Sequence, residues 1–251
     1  MPRTWLPHTC KPTDAAHQQA ALLRQAQLTK PPGSLGALED IAVRLASLQG
    51  CRRPQLERVR IVVFAGDHGV VAEGVSAFPQ SVTVEMVRNF ARGGAAISVL
   101  ARCLGAGLDV VNVGTVTHPG DLPGVLHAAV APGTANFCRE PAMTETQLTQ
   151  ALATGKAAAE RARVDDIQLF IGGEMGIGNT TSATALACAL LRCPAAELVG
   201  RGTGLDDAGL LRKARVVEQA LALHAPLLQD AVAILRCLGG LEIAALTGAY
   251  V

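Results

Sequence analysis

Apolar and polar positions along this chain switch between a helical and a strand-like period. Leu35 to Leu48 sets Leu38, Ile41, Ala42 and Leu45 on one helical face, and Ala15 to Leu28 is helical in composition. Lys30-Pro31-Pro32-Gly33-Ser34 separates the two segments: proline stops the first helix and Ser34 is placed to cap the second. Val59 to Phe64 (VRIVVF) is a short β-branched run that reads as a buried strand ending in the loop Ala65-Gly66-Asp67-His68-Gly69. Leu108 to Val113 and Ile167 to Ile171 read as further strands. Helices are expected from about Pro79 to Arg92 and from Gly93-Gly94 through Ala101.

Widely spaced strands with helices between them imply crossover connections and a parallel sheet covered on both faces. The expected fold class is therefore α/β, a Rossmann-like three-layer arrangement. The helices ahead of Val59 precede every strand and are expected to form a helical subdomain over 1–56, leaving 57–251 as the α/β substrate-binding domain. In such sheets ligands bind beyond the carboxyl ends of the strands. That rule selects three glycine-rich, polar loops: Gly66 to Gln80, Gly114 to Gly124 and Gly172 to Thr181.

Composition narrows the partners. With 49% hydrophobic and 17% charged residues over 251 positions, the chain can bury a core without staples. Lys plus Arg total 22 against 21 Asp plus Glu, for a net charge of +1, and aromatics are 3%. Neither nucleic acid nor an anionic membrane is an electrostatically favoured partner. The seven cysteines (Cys10, Cys51, Cys103, Cys138, Cys188, Cys193, Cys237) are scattered without CxxC spacing. They read as free thiols in a reducing compartment, with no metal site among them. Met1 to Asp14 has no apolar h-region, and no run is long enough to span a bilayer, so a soluble, cytoplasmic protein is expected.

Three loops carry candidate chemistry. Gly172-Gly173-Glu174-Met175-Gly176-Ile177-Gly178-Asn179-Thr180-Thr181 follows a strand and opens a helix near Thr180, so free amides and threonine hydroxyls form a phosphate site. Gly173 to Thr180 aligns with a Walker loop, except that Asn179 replaces the lysine that meets the β- and γ-phosphates. A monophosphate therefore fits better than a nucleoside triphosphate. Asp67 and His68 stand at a strand end, and Pro79, Gln80 and Met86 line a stretch suited to a flat apolar ligand. Arg201-Gly202-Thr203-Gly204-Leu205-Asp206-Asp207 leads into a helix whose Lys213 either faces solvent or reaches the phosphate loop; Asp206 or Asp207 reads as its N-cap. His118, His127 and His224 read as ordinary surface or core histidines.

Taken in order, KPPGSLGALEDIAVRLA (Lys30 to Ala46), the segment Val62 to Arg102, IGGEMGIGNTTSATAL (Ile171 to Leu186) and VGRGTGLDD (Val199 to Asp207) resemble the nicotinate-nucleotide–dimethylbenzimidazole phosphoribosyltransferase family. The resemblance implies transfer of the phosphoribosyl group of nicotinate mononucleotide to 5,6-dimethylbenzimidazole, giving α-ribazole 5′-phosphate and nicotinate for the lower ligand of cobalamin. It implies no cofactor and no metal, because departing nicotinate accepts the glycosidic electrons. Carried over residue by residue, Gly176, Gly178, Asn179, Thr180 and Thr181 hold the phosphoribosyl group, Lys213 lies near its phosphate, and Pro79, Gln80 and Met86 line the benzimidazole pocket. A homodimer is implied as well. The family continues past Val251 into a GEGTGA-like motif whose glutamate is the general base. No GEG occurs here, so the resemblance assigns that role to no residue of this sequence, and Glu174 is the substitute candidate. The alternative reading is a truncated, non-catalytic nucleotide-binding or partner-binding remnant of the family.

Overall fold

The computed structural model describes residues 12–251; Cys10 falls outside them. Two helices come first, α1 (Ala15–Gln27) and α2 (Ala37–Gln49), followed by β1 (Val59–Gly66), α3 (Val82–Arg92), α4 (Ala96–Leu104), β2 (Gly107–Gly114) and β3 (Val125–His127). The second half runs α5 (Glu145–Val164), β4 (Leu169–Met175), α6 (Asn179–Leu191), α7 (Ala195–Leu198), α8 (Asp207–His224), α9 (Ala231–Leu238) and α10 (Leu241–Tyr250).

The strands form one four-stranded sheet in the order β3-β2-β1-β4, with every pairing parallel. Alternate residues of β1 and β2 serve two different cores, as the two-residue period of a strand requires. Val62, Phe64, Val111 and Val113 pack with Leu148, Leu152, Leu241 and Ala245 of α5 and α10. Ile61, Val63, Ala65 and Val110 pack on the opposite face with Val87, Phe90 and Ala101 of α3 and α4. The expected three layers are present. A further core joins Val70, Phe137, Ala185, Val217 and Leu238, and so anchors α6, α8 and α9 beside the sheet. His224 belongs to its wall, buried with Nε2 2.7 Å from the Phe137 carbonyl, a core histidine as expected.

Four local expectations need correction. Ser34 does not cap α2: Gly36 occupies the N-cap position, with no side-chain hydrogen bond. The stripe expected to bury α2 does not do so, since Leu38 is 64% and Ile41 51% exposed while Val43 and Ala46 turn inward. Strand β3 has only three residues and no readable alternation, so it escaped the sequence pattern. Finally, β4 begins and ends later than Ile167 to Ile171 and carries Gly172, Gly173 and Glu174 in register with Val62, Val63 and Phe64. Glycine is tolerated in that strand because α10 covers it: a Cβ on Gly172 would clash with Leu246 and come within 2.9 Å of the Tyr250 hydroxyl. That hydroxyl also accepts the Gly172 N–H at 2.8 Å. The glycine-rich loop is thus shorter than Gly172 to Thr181, and Glu174 stands on the strand.

Candidate functional site

At the carboxyl end of β4 the chain turns through Gly176, Ile177 and Gly178 and enters α6 at Asn179. Gly178 is the N-cap, with φ +95°, where a side chain is strained and its Cβ would lie 2.8 Å from Val71. Gly176 is buried, and a Cβ there would clash with the Gly66 carbonyl and meet the His68 ring at 3.0 Å. The turn therefore lies directly on the β1 loop, and the Ile177 N–H donates to Thr83 Oγ1 of α3 at 3.0 Å. Glu174 accepts from the Asn179 side-chain amide, so the Asn in the Walker lysine position holds the nearby carboxylate. Glu174 reaches solvent at the rim, yet the protein around it pushes its pKa up; the Asn179 hydrogen bond and His68 pull it back, and Glu242 pushes it further up.

Lys213 does not face solvent. It is 1% exposed, and its Nζ donates to Thr180 Oγ1 at 2.7 Å and to the Gly200 carbonyl at 3.2 Å. Burial holds its pKa below the usual lysine value. The side chain of Asp206 caps α8 by accepting from Gly209 N–H at 2.7 Å, which fixes the helix that delivers Lys213. Thr203 Oγ1 lies 3.1 Å from Ser76 Oγ and accepts the Ala77 N–H at 3.1 Å, and Arg212 donates to the Gly74 carbonyl at 3.2 Å. These bonds bring the loop around Arg201 and the loop before α3 to the same end of the sheet as the glycine turn.

Asp67 and His68 lie beneath the surface of this site. Asp67 is 2% exposed, accepts the Val116 N–H at 2.8 Å, and has its pKa raised, burial outweighing that bond and the Thr83 and His68 contributions. His68 is fully buried, with Nε2 2.6 Å from Glu242 Oε1. Burial favours the neutral ring, but the charge and hydrogen bond of Glu242, with Glu174 and Asp67, outweigh it and raise the His68 pKa. Glu242, also fully buried at the start of α10, is the site residue that sequence reasoning missed. One legible signal was its place: a lone acid after Gly239-Gly240 in an otherwise apolar stretch. Asp67 Oδ1, His68 Nδ1, Thr181 Oγ1 and Glu242 Oε2 have no protein partner, a concentration of unsatisfied buried polar atoms at one end of the sheet.

The stretch expected to line a flat apolar ligand is more open. Phe78 is 52% exposed and Pro79 is exposed, while Met86 is half-buried against the α3–α4 core. The Gln80 side chain donates to the His68 carbonyl at 3.2 Å, tying this wall to the buried pair. No helix among the described residues is long and apolar enough to cross a membrane.

Comparison with known proteins agrees with this geometry. A phosphoribosyltransferase family model matches residues 10–251. The nicotinate-nucleotide–dimethylbenzimidazole phosphoribosyltransferase of Pseudomonas putida KT2440 is 59% identical over 250 residues, covering 100% of this chain and 71% of its own length. Its namesake from Xanthomonas axonopodis pv. citri is 60% identical over 247 residues, covering 98% of this chain and 71% of its own. The crystal structure of CobT from Thermus thermophilus superposes with a TM-score of 0.87 at 49% identity, covering 94% of this chain and 70% of that one. Strand order, the glycine turn and identity along the whole of this chain together place it in the nicotinate-nucleotide–dimethylbenzimidazole phosphoribosyltransferase family.

Proposed function

We propose that this protein moves the 5-phosphoribosyl group of nicotinate mononucleotide to a ring nitrogen of 5,6-dimethylbenzimidazole, as part of cobalamin lower-ligand assembly. The observation that carries the reading is the meeting of Lys213, Thr180 and the Gly176–Asn179 turn without a Walker lysine. One ammonium and one helix N-terminus suit a single phosphate. The turn, Thr180, Thr181 and Lys213 hold the donor phosphate. Pro79, Gln80 and Met86 form the wall against which the flat acceptor rests, with Asp67 and His68 supporting the floor from below. In the transfer, the glycosidic bond to nicotinate breaks, its electron pair leaves with the pyridine ring nitrogen, and the acceptor nitrogen bonds the anomeric carbon. The acceptor proton passes to a base, and Glu174 is the candidate in this chain. Its raised pKa makes it a better proton acceptor than an ordinary carboxylate.

The enzyme works without a metal or an organic cofactor in this reading. A homodimer is supported by the apolar surface that α1 and α2 leave open, including Leu22, Leu23, Leu38, Ile41 and Leu48. A cytoplasmic setting is supported by the six cysteines among the described residues, all free. The relatives carry the enzyme's name, which favours catalysis over a non-catalytic remnant.

The test is calorimetric titration with nicotinate mononucleotide and with ATP–Mg²⁺, alongside chromatographic assay of α-ribazole 5′-phosphate. Mononucleotide binding and product formation are expected, with product lost in Glu174→Gln and nucleotide binding kept. Micromolar ATP binding that disappears on chelating magnesium, with none for the mononucleotide, would reverse the reading.

A further inference from the structure

His118 and Asp121 stand in the segment that follows β2, and His127 ends β3. Sequence spacing gives no reason to group them, because the fold of the intervening turn decides their distance. One donor atom from each lies within 4.8 Å of the other two, and all three residues are exposed. The two imidazole rings stack at 4.3 Å between centroids with 28° between their planes, and His127 Nε2 lies 3.9 Å from Asp121 Oδ1. This is the one such grouping of His, Cys, Asp and Glu donors among the described residues.

The backbone beneath the trio is fixed. Ala128 N–H donates to the Asn112 carbonyl at 2.9 Å and Val110 N–H to the Gly124 carbonyl at 2.9 Å, so sheet pairing holds His127. The Val125 N–H donates to the Leu122 carbonyl at 3.1 Å, and Arg88 Nε of α3 donates to the Pro119 carbonyl at 3.0 Å, pinning the turn that carries His118 and Asp121. Only side-chain rotation separates the donors from coordination. Ligands at ~2.0–2.1 Å from a tetrahedral ion sit ~3.4 Å apart, so the donors must close by roughly an ångström and the two stacked rings must turn apart until an in-plane nitrogen lone pair of each points at the ion. The entropy cost is that of a few side chains, not of ordering a loop.

We propose that His118, Asp121 and His127 form a surface binding site for a divalent transition cation of the zinc, nickel or copper class. Two imidazoles and one carboxylate select such ions over magnesium or calcium, which take oxygen ligands. Three protein ligands leave a coordination position to water. His118 Nδ1 now accepts the Gly120 N–H at 3.1 Å, a bond that coordination at either ring nitrogen exchanges or loosens. His127 ends β3, the edge strand opposite β4, which carries the glycine turn.

The experiment is calorimetric titration of the full, untagged chain with Zn²⁺ and with Ni²⁺, repeated on His118→Asn and His127→Asn. Because both residues are exposed, circular dichroism should show both variants folded. The expected result is one ion per chain, with affinity reduced at least ~tenfold in each variant and unaffected by excess Mg²⁺. No binding of either ion, or binding equal in wild type and both variants because thiols or other histidines capture the ion, would overturn the proposal.

Discussion

In the proposed function Lys213 serves a ligand at the expense of the fold. A buried ammonium loses hydration, and its depressed pKa records that penalty. Its two protein acceptors are weakly dependent on it: Thr180 and Gly200 are both exposed, so water can satisfy them. Lys213→Met, which keeps the stem and removes the charge, should therefore leave stability unchanged or raise it. Nicotinate mononucleotide binding should fall by about 1.5–3 kcal/mol, the range of a hydrogen bond to a charged group. Thermal melts paired with calorimetry read both quantities. A variant that melts much earlier and binds equally well would mean that Lys213 is structural and meets no phosphate.

At the scale of elements, α10 brings a carboxylate from far along the chain to the β1 loop, and Glu242→Gln tests that link. Removing one partner of a fully buried ion pair costs about 3–5 kcal/mol. The sign with pH follows from His68, whose folded pKa is raised, so its stabilisation is complete below the ordinary histidine pKa of about 6.5 and fades as pH rises through the folded value. The gap between wild type and Glu242→Gln should be widest below about pH 6.5 and should shrink as pH rises, in urea melts run across that range; a gap constant with pH would mean that the pair is not charged. This element also marks where the sequence stops being informative. The VRIVVF run and the LDVVNV run announced β1 and β2 because a two-sided buried strand needs a mostly apolar, β-branched run. The glycine turn was legible because glycines opening a helix leave its amides free for an anion, whereas the residues left Lys213 facing either solvent or the phosphate loop and only the resemblance put it near the phosphate. Glu242 drew no reading, Ser34 read as a cap, and Leu38 and Ile41 as part of one apolar helical face. Each depended on what packs against the element, which local pattern does not contain.

For the whole molecule, the site depends on how closely two helices can approach at a crossing outside its loops. Gly155 of α5 and Gly248 of α10 lie where the helices cross, and a Cβ on Gly155 would clash with the Ala245 carbonyl, as one on Gly248 would with the Leu152 carbonyl. Both helices also pack against β1 and β2, so α10 has no direction in which to yield without disturbing the sheet core. Overpacking of this kind costs about 1–3 kcal/mol, more where backbone is hit. At ~2–4 °C per kcal/mol for a chain of this size, Gly155→Ala should lower the melting temperature by several degrees. Because α10 starts at Leu241 and carries Glu242 to the buried His68, its displacement should also loosen His68 and, through the His68 ring lying against Gly176, the glycine turn. Mononucleotide affinity is therefore expected to fall along with stability, although Gly155 lies outside every loop that lines the site. Gly105→Ala is the control, since that residue has a left-handed φ of +65° but nothing within 4 Å of its Cβ. It should lower the melting temperature through backbone strain alone and leave nucleotide affinity intact. Equal affinity losses in the two variants would show that general destabilisation, and not the α5–α10 crossing, reaches the site.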